Sequence, residues 1–130
     1  MNSTTLAASR DQLVLLVEDE PGLQEAIALA LEIEGFDVVR ASNGREALVH
    51  LATSQPDLIV TDYMMPSMNG AEMINEIRSD GALARVPILL ISASLPKYVD
   101  KKIADAFLPK PIGVSQLVNT IEELLDEAVH

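Results

Sequence analysis

The stretch 58-LIVTDYMMPSMNG-70 places an acidic side chain directly after a short apolar run. Residues 58–61 are predicted to form a buried strand, because the run is short and turn-forming residues flank it. Asp62 follows, and no Lys or Arg lies within fifteen residues of it on either side. A carboxylate at the end of a buried strand needs a proton, a cation or a basic partner. The counter-charge of Asp62 must therefore come from groups that are distant in the sequence.

Apolar runs alternate with helical patterns along the whole chain, which is typical of a parallel α/β sheet. The predicted strands are 13–17, 37–40, 58–61, 86–91 and 106–108. Among the helical segments the fourth is the weakest, because only about eight residues, 96–103, are available for it. Five strand–helix units in this length predict a doubly wound open sheet with a shortened fourth helix.

The composition restricts the kind of protein. With 130 residues the chain fits one domain, and 48% hydrophobic residues suffice for a core. The core must be aliphatic, because there are only two Phe, two Tyr and no Trp. The absence of cysteine excludes disulfides and thiolate metal sites. A net charge of −11 argues against direct nucleic-acid binding and favours protein partners or a cation.

The start of the chain shows no targeting signal. Residues 1–12 lack a positively charged start followed by an apolar stretch, so they are not a secretory signal. No apolar run approaches the roughly 20 residues that span a bilayer. We predict a flexible leader at 1–10, a single domain at 11–130, a cytoplasmic location and no membrane insertion.

Polar side chains occur at the carboxyl ends of the predicted strands, where ligand sites of open α/β sheets form. They are Glu18, Asp19, Asp62, Ser92 and Lys110. If the first and third strands are neighbours, the three carboxylates converge, and hard oxygen ligands of this kind favour Mg²⁺. Together with an ammonium and a hydroxyl group, such a set can carry out phosphoryl transfer with Asp62 as nucleophile.

The segments that carry these residues resemble the receiver domain of two-component response regulators. They are 13-LVLLVEDE-20, 58-LIVTDYMMPSMNG-70, 88-ILLISAS-94 and 107-FLPKP-111. The resemblance implies a flavodoxin-like sheet with strand order 2-1-3-4-5 and a cis peptide bond before Pro111.

The same resemblance implies a role for each residue of the site. Glu18 and Asp19 form the acidic pair that positions Mg²⁺ or Mn²⁺. Asp62 is the phosphoacceptor and a metal ligand, and Met64 offers its backbone carbonyl to the metal. Ser92 and Phe107 form the switch, and Lys110 is the catalytic lysine.

The resemblance further implies a phosphoacceptor switch of a two-component or phosphorelay system. A histidine kinase or a histidine phosphotransfer protein would donate the phosphoryl group, and a downstream protein would recognise the altered surface. The chain would be of the stand-alone type and would catalyse its own phosphorylation and slow dephosphorylation, without being a classical enzyme.

Two features depart from the family pattern and leave alternatives open. Ser92 and Lys110 are 18 positions apart, about one helical turn fewer than usual, and Ile103 replaces a common glycine. The surface around the fourth helix is therefore altered, which keeps a phosphate-independent interaction module as an alternative. An aspartate-nucleophile phosphatase is the other alternative, although such enzymes usually have a second acid where this chain has Met64.

Overall fold

Five parallel strands form the centre of the molecule. The structure is a computed structural model that describes residues 10–129, apart from the side chains of Lys101 and Val129. The strands are β1 (Leu13–Val17), β2 (Asp37–Ala41), β3 (Leu58–Asp62), β4 (Ile88–Ser92) and β5 (Ala106–Pro109). Their order in the sheet is β2-β1-β3-β4-β5, and every pair is parallel. The predicted fold class and strand order are confirmed.

The strands end on the residues that the sequence singled out. β3 includes Asp62 and β4 includes Ser92, so both side chains belong to the last residue of a strand. β4 begins at Ile88, two residues later than predicted, because Pro87 has no N–H for a sheet hydrogen bond.

Within residues 10–129, four α-helices flank the sheet: α1 (Pro21–Ile33), α2 (Gly44–Leu51), α3 (Gly70–Ser79) and α4 (Val114–Val129). Their starts follow local sequence signals. The Asn43 side chain accepts a hydrogen bond from the Glu46 amide, and Asn69 and Glu72 bond each other's amides in a reciprocal cap. No helix within residues 10–129 is both long and apolar enough to cross a membrane. The cytoplasmic location stays a prediction.

The helices cover both faces of the sheet, which explains why its central strands are almost continuously apolar. α1 and α4 pack on one face, through side chains such as Leu31 and Ile121. α2 and α3 pack on the other face, through side chains such as Leu51 and Met73. Both layers lie beside the strands, so the carboxyl end of the sheet is left for the polar residues.

The connection between β4 and β5 contains less helix than predicted. The shortened fourth helix expected at 96–103 is reduced to a 3₁₀ turn at Lys101–Ile103. The Val99 amide donates to Pro96 O and the Ile103 amide donates to Asp100 O, so two separate four-residue turns replace a continuous helix. The Asp100 carboxylate also accepts a hydrogen bond from the Lys102 amide, which stabilises the start of the second turn.

Arg10 is held against the domain, although the prediction assigned it to the leader. Its amide donates to Gly35 O, and its guanidinium pairs with Glu122 at 2.8 Å. The guanidinium also lies over the Phe36 ring, 4.6 Å from the centroid. The remaining leader, residues 1–9, lies outside the described residues, and its flexibility stays a prediction.

Candidate functional site

The site lies where the strand order reverses, beyond the carboxyl ends of β1 and β3. The two strands are neighbours, with Val17 opposite Thr61. Glu18 and Asp19 follow β1 directly, and Asp62 is the next residue after Thr61 in β3. The chain therefore brings the acidic pair and Asp62 together at the position where open α/β sheets bind ligands.

The three carboxylates form one cluster. Glu18, Asp19 and Asp62 each offer one oxygen, and these oxygens all lie within 4.8 Å of one another. Glu18 and Asp62 are 1% and 4% exposed, whereas Asp19 is exposed to solvent. Carboxylate oxygens in such a cluster are the donors that hard divalent cations prefer, so the donor set fits Mg²⁺ or Mn²⁺.

Lys110 supplies the basic partner that the sequence around Asp62 lacks. Its Nζ donates to Asp62 Oδ2 at 2.6 Å and to Glu18 Oε1 at 3.1 Å. The Lys110 amide donates to Ser92 O, which holds the residue beyond the end of β5. The peptide bond between Lys110 and Pro111 is cis, as the family resemblance implied.

Burial and the ion pairs together set the charges in this cluster. Burial raises the pKa of the Glu18 carboxyl above its usual range, and the hydrogen bond from Lys110 opposes this shift without cancelling it. For Lys110, burial would lower the pKa, but the hydrogen bonds and negative charges of Asp62 and Glu18 raise it overall. The ammonium of Lys110 is therefore positively charged at neutral pH, where it neutralises part of the carboxylate charge.

The second oxygen of Asp62 is held by the chain that follows it. The Met64 amide donates to Asp62 Oδ1 at 3.1 Å, and Met64 is 61% exposed. Both carboxylate oxygens of Asp62 thus have a donor, one from a backbone amide and one from Lys110. The use of the Met64 carbonyl as a metal ligand stays a prediction.

Ser92 ends β4, the strand next to β3, and Phe107 lies on β5, one strand further from Asp62. Ser92 is fully buried, and its hydroxyl donates to Ser94 O at 2.9 Å while accepting the Ser94 amide at 3.2 Å. Phe107 is half-buried and packs against the core beneath α2 and α3. In this arrangement the Ser92 hydroxyl is used locally, so an incoming anion would have to compete with Ser94 for it.

Sequence reasoning missed two residues that support the site. Thr61 is fully buried, and its hydroxyl donates to the Asp62 backbone carbonyl at 2.9 Å. A polar residue within a strand covered on both faces was the signal that could have identified it. The Gln24 side-chain amide joins the ends of β1 and β2 by donating to Glu18 O and Ala41 O. No local sequence pattern distinguishes Gln24 from other polar residues of α1.

Comparison with known proteins identifies the family. The profile of the response regulator receiver domain matches residues 14–122. The alkaline phosphatase synthesis transcriptional regulatory protein SphR of Synechococcus elongatus is 38% identical over 92% of this chain and 51% of its own length. The CpxR homolog of Haemophilus influenzae is also 38% identical, over 86% of this chain and 49% of its own. The chain thus spans about half the length of these curated relatives.

Solved structures agree with this result. The chemotaxis response regulator CheY4 of Vibrio cholerae superposes with a TM-score of 0.81 at 27% identity, covering 91% of this chain and 99% of that one. The response regulator TrrA of Thermotoga maritima, in complex with Mg²⁺-BeF, gives a TM-score of 0.79 at 29% identity, covering 87% and 98%. The chain therefore belongs to the response regulator receiver domain family of two-component signalling.

Proposed function

We propose that this chain is a phosphorylation-dependent switch in which Asp62 accepts a phosphoryl group from a phosphohistidine. The observation that carries the proposal is the contact between Lys110 Nζ and Asp62 Oδ2, at 2.6 Å, inside a cluster of three carboxylates. The arrangement offers a nucleophile, a counter-charge and oxygen ligands in one place. Phosphoryl transfer depends mainly on positioning and charge neutralisation, which these groups can provide.

Glu18, Asp19, Asp62 and the backbone carbonyl of Met64 would hold a divalent cation, Mg²⁺ or Mn²⁺. When bound, the cation neutralises negative charge on the carboxylates and on the incoming phosphoryl group. Glu18 and Asp62 are buried, which strengthens their electrostatic interaction with a cation. The exposed carboxylate of Asp19 lies at the solvent side of the cluster, where an ion can enter.

The Asp62 carboxylate acts as the nucleophile. A bond forms between an Asp62 oxygen and phosphorus, the bond between phosphorus and the histidine nitrogen breaks, and the bonding electron pair stays on that nitrogen. Lys110 already touches the carboxylate, so its ammonium can shift to an oxygen of the transferred group. The Ser92 hydroxyl would follow by exchanging its bond to Ser94 for one to the phosphoryl group.

The switch itself would involve the β4 end and the half-buried ring of Phe107. When the Ser92 hydroxyl breaks its hydrogen bond to Ser94 O, the loop after β4 can change conformation. Phe107 lies on β5 opposite Leu90 of β4, close to the start of that loop. Phosphorylation would shift the population between two such arrangements, and a partner protein would bind one of them more tightly. A histidine kinase or a histidine phosphotransfer protein is the proposed donor.

Beryllofluoride with Mg²⁺ tests the proposal, because this complex mimics a phosphoryl group on an aspartate. We expect wild-type protein to bind it and to show NMR shifts near Ser92 and Phe107, whereas Asp62→Asn shows neither. Asp37→Asn is the matched control, since Asp37 is an exposed carboxylate at the opposite end of the sheet. It should respond like wild type.

Other outcomes would point to the alternatives. No response in wild type would contradict the proposal and favour an interaction module that does not depend on phosphate. Continuous hydrolysis of small phosphate esters would instead favour an aspartate-nucleophile phosphatase.

A further inference from the structure

The Thr61 hydroxyl makes a hydrogen bond that has no role in the phosphoryl transfer as proposed above. It is fully buried in β3, between the apolar Val60 and the phosphoacceptor Asp62. Its Oγ1 donates to the backbone carbonyl of Asp62 at 2.9 Å. A threonine at this buried position therefore satisfies its polar group on the peptide of the very next residue.

Gly70 packs closely against the same carbonyl. A Cβ added at Gly70 would lie 2.7 Å from Asp62 O and 2.9 Å from Tyr63 Cα, and both of these are backbone atoms. The Gly70 amide also donates to Tyr63 O at 2.8 Å. The peptide between Asp62 and Tyr63 is thus fixed by the Thr61 hydroxyl and by close packing against the first residue of α3.

The orientation of this peptide determines where the Asp62 carboxylate meets its donors. The Met64 amide, which holds Asp62 Oδ1, lies two residues further along the same backbone. Lys110, directly after β5, holds the other oxygen, at a distance that depends on where the end of β3 lies. A small rotation of the peptide would move the Met64 amide and the carboxylate relative to Lys110. Reacting groups that are displaced by about 1 Å can lose up to roughly 100-fold in rate.

We propose that Thr61 is a positioning residue for phosphoryl transfer to Asp62, acting through its hydrogen bond to the Asp62 carbonyl. The inference rests on the proposed function of Asp62. Thr61 does not touch the reacting atoms; it holds the backbone from which the nucleophile projects.

The test compares Thr61→Val, which keeps the shape and removes the donor, with Thr61→Ser, which keeps the donor. Acetyl phosphate with Mg²⁺ serves as phosphate donor: an Asp62 oxygen bonds to phosphorus, and acetate leaves with the electron pair. Intact mass spectrometry follows the phosphorylated fraction, and denaturation in urea measures stability. Thr120→Val is the matched control, because the Thr120 hydroxyl also donates to a backbone carbonyl, that of Gln116 in α4.

We expect the Thr61→Val rate constant at saturating acetyl phosphate to fall about tenfold, while Thr61→Ser and Thr120→Val stay within about twofold of wild type. The acetyl phosphate concentration at half-maximal rate should not change. A purely structural role would instead lower the rate and the stability together in both Thr61 variants. If Thr61→Val does not fold, Thr61→Ser and Thr61→Ala provide the comparison, because they differ only in the hydroxyl.

Three results would overturn the inference. The first is a Thr61→Val variant that is phosphorylated as fast as wild type. The second is a Thr61→Ser variant that is phosphorylated as slowly as Thr61→Val. Wild type that is never phosphorylated would overturn the proposed function together with this inference. The first two results leave the proposed function intact, so the two failures are distinguishable.

Discussion

The charge of Glu18 depends on side chains that are far from it in the sequence. Glu18 lies in the acidic run after β1, yet it is 1% exposed and accepts a hydrogen bond from Lys110, 92 residues away. Burial raises its pKa, and the negative charge of Asp62 raises it further, while Lys110 acts in the opposite direction. An acidic run that resembles a solvated loop thus contains a buried carboxyl with altered proton affinity.

Glu18→Gln should remove a pH dependence of stability in metal-free buffer. Because the folded pKa of Glu18 is raised above the unfolded value of about 4.5, the folded state keeps its proton in a range where the unfolded chain has lost it. The free energy of unfolding therefore falls as pH rises from about 4.5 through the folded pKa. We expect wild type to lose stability relative to Glu18→Gln over this range, as measured by urea denaturation with a chelator.

The matched control is Glu123→Gln, since Glu123 is an exposed carboxyl on α4. It should follow the wild-type pH profile. A difference between Glu18→Gln and wild type that stays constant between pH 4 and about 8 would contradict a raised pKa at Glu18.

Met64 should make the phosphorylated state long-lived. Its apolar side chain is exposed beside Asp62 and offers no group that could orient an attacking water molecule. We expect self-dephosphorylation in the presence of Mg²⁺ to take minutes or longer, and Met64→Gln to shorten this time. The lifetime is measured by following the loss of the phosphoryl group from phosphorylated protein over time. A wild-type lifetime of seconds would contradict the prediction.

At the scale of elements, the short connection between β4 and β5 is held by Asp105. Its Oδ2 accepts the Ile88 amide at 2.7 Å and pairs with Arg78 Nη2 at 2.7 Å. The same guanidinium donates to Ala84 O and Val86 O, so it joins the end of α3 to the start of β4. These contacts position β5, and hence Lys110, although only a 3₁₀ turn precedes the strand.

Asp105→Ala should lower the free energy of unfolding by about 1–2 kcal/mol, because the Ile88 amide and Arg78 both lose their acceptor. The expected loss of stability is small because the ion pair between Arg78 and Asp105 is partly exposed and screened by solvent. Asp105→Asn keeps an oxygen for Ile88 and should lose less. Urea denaturation measures the free energy of unfolding of both variants. Equal losses of stability in Asp105→Asn and Asp105→Ala would show that the hydrogen bond to the Ile88 amide is not the main contribution of Asp105 to stability.

At the scale of the whole molecule, acidic residues dominate the charge. The chain carries a net charge of −11, and three of its carboxylates converge at one end of the sheet. Lys110 neutralises only part of that cluster in the folded protein. A divalent cation that binds the folded cluster and not the unfolded chain must therefore stabilise the whole fold.

Mg²⁺ should raise the melting temperature of wild type at constant ionic strength. The stabilisation should approach about 2.7 kcal/mol when Mg²⁺ is at roughly 100 times its Kd. Asp19→Asn should abolish most of it, because Asp19 contributes an oxygen to the cluster. Asp37→Asn, at the opposite end of the sheet, should behave like wild type. An unchanged melting curve of wild type at millimolar Mg²⁺ would contradict a metal site.

The sequence by itself determined most of the elements and the end of the sheet at which the site lies. The signals that determined them act over only a few residues, so they can be recognised in the local sequence. They are the apolar runs, the helix caps at Asn43 and Asn69, and Pro21 at the start of α1. The predicted helix at 96–103 became a 3₁₀ turn because Asp100 caps a new turn there, a competition that periodicity does not reveal.

Only the tertiary structure decided how the site residues interact. It brings Lys110 to 2.6 Å from Asp62, 48 residues earlier, and it buries Glu18 so that its pKa rises. It also turns the Thr61 hydroxyl onto the Asp62 carbonyl. The physical reason is that hydrogen-bond distances and desolvation depend on strand register and on packing between distant segments, which local sequence patterns do not encode.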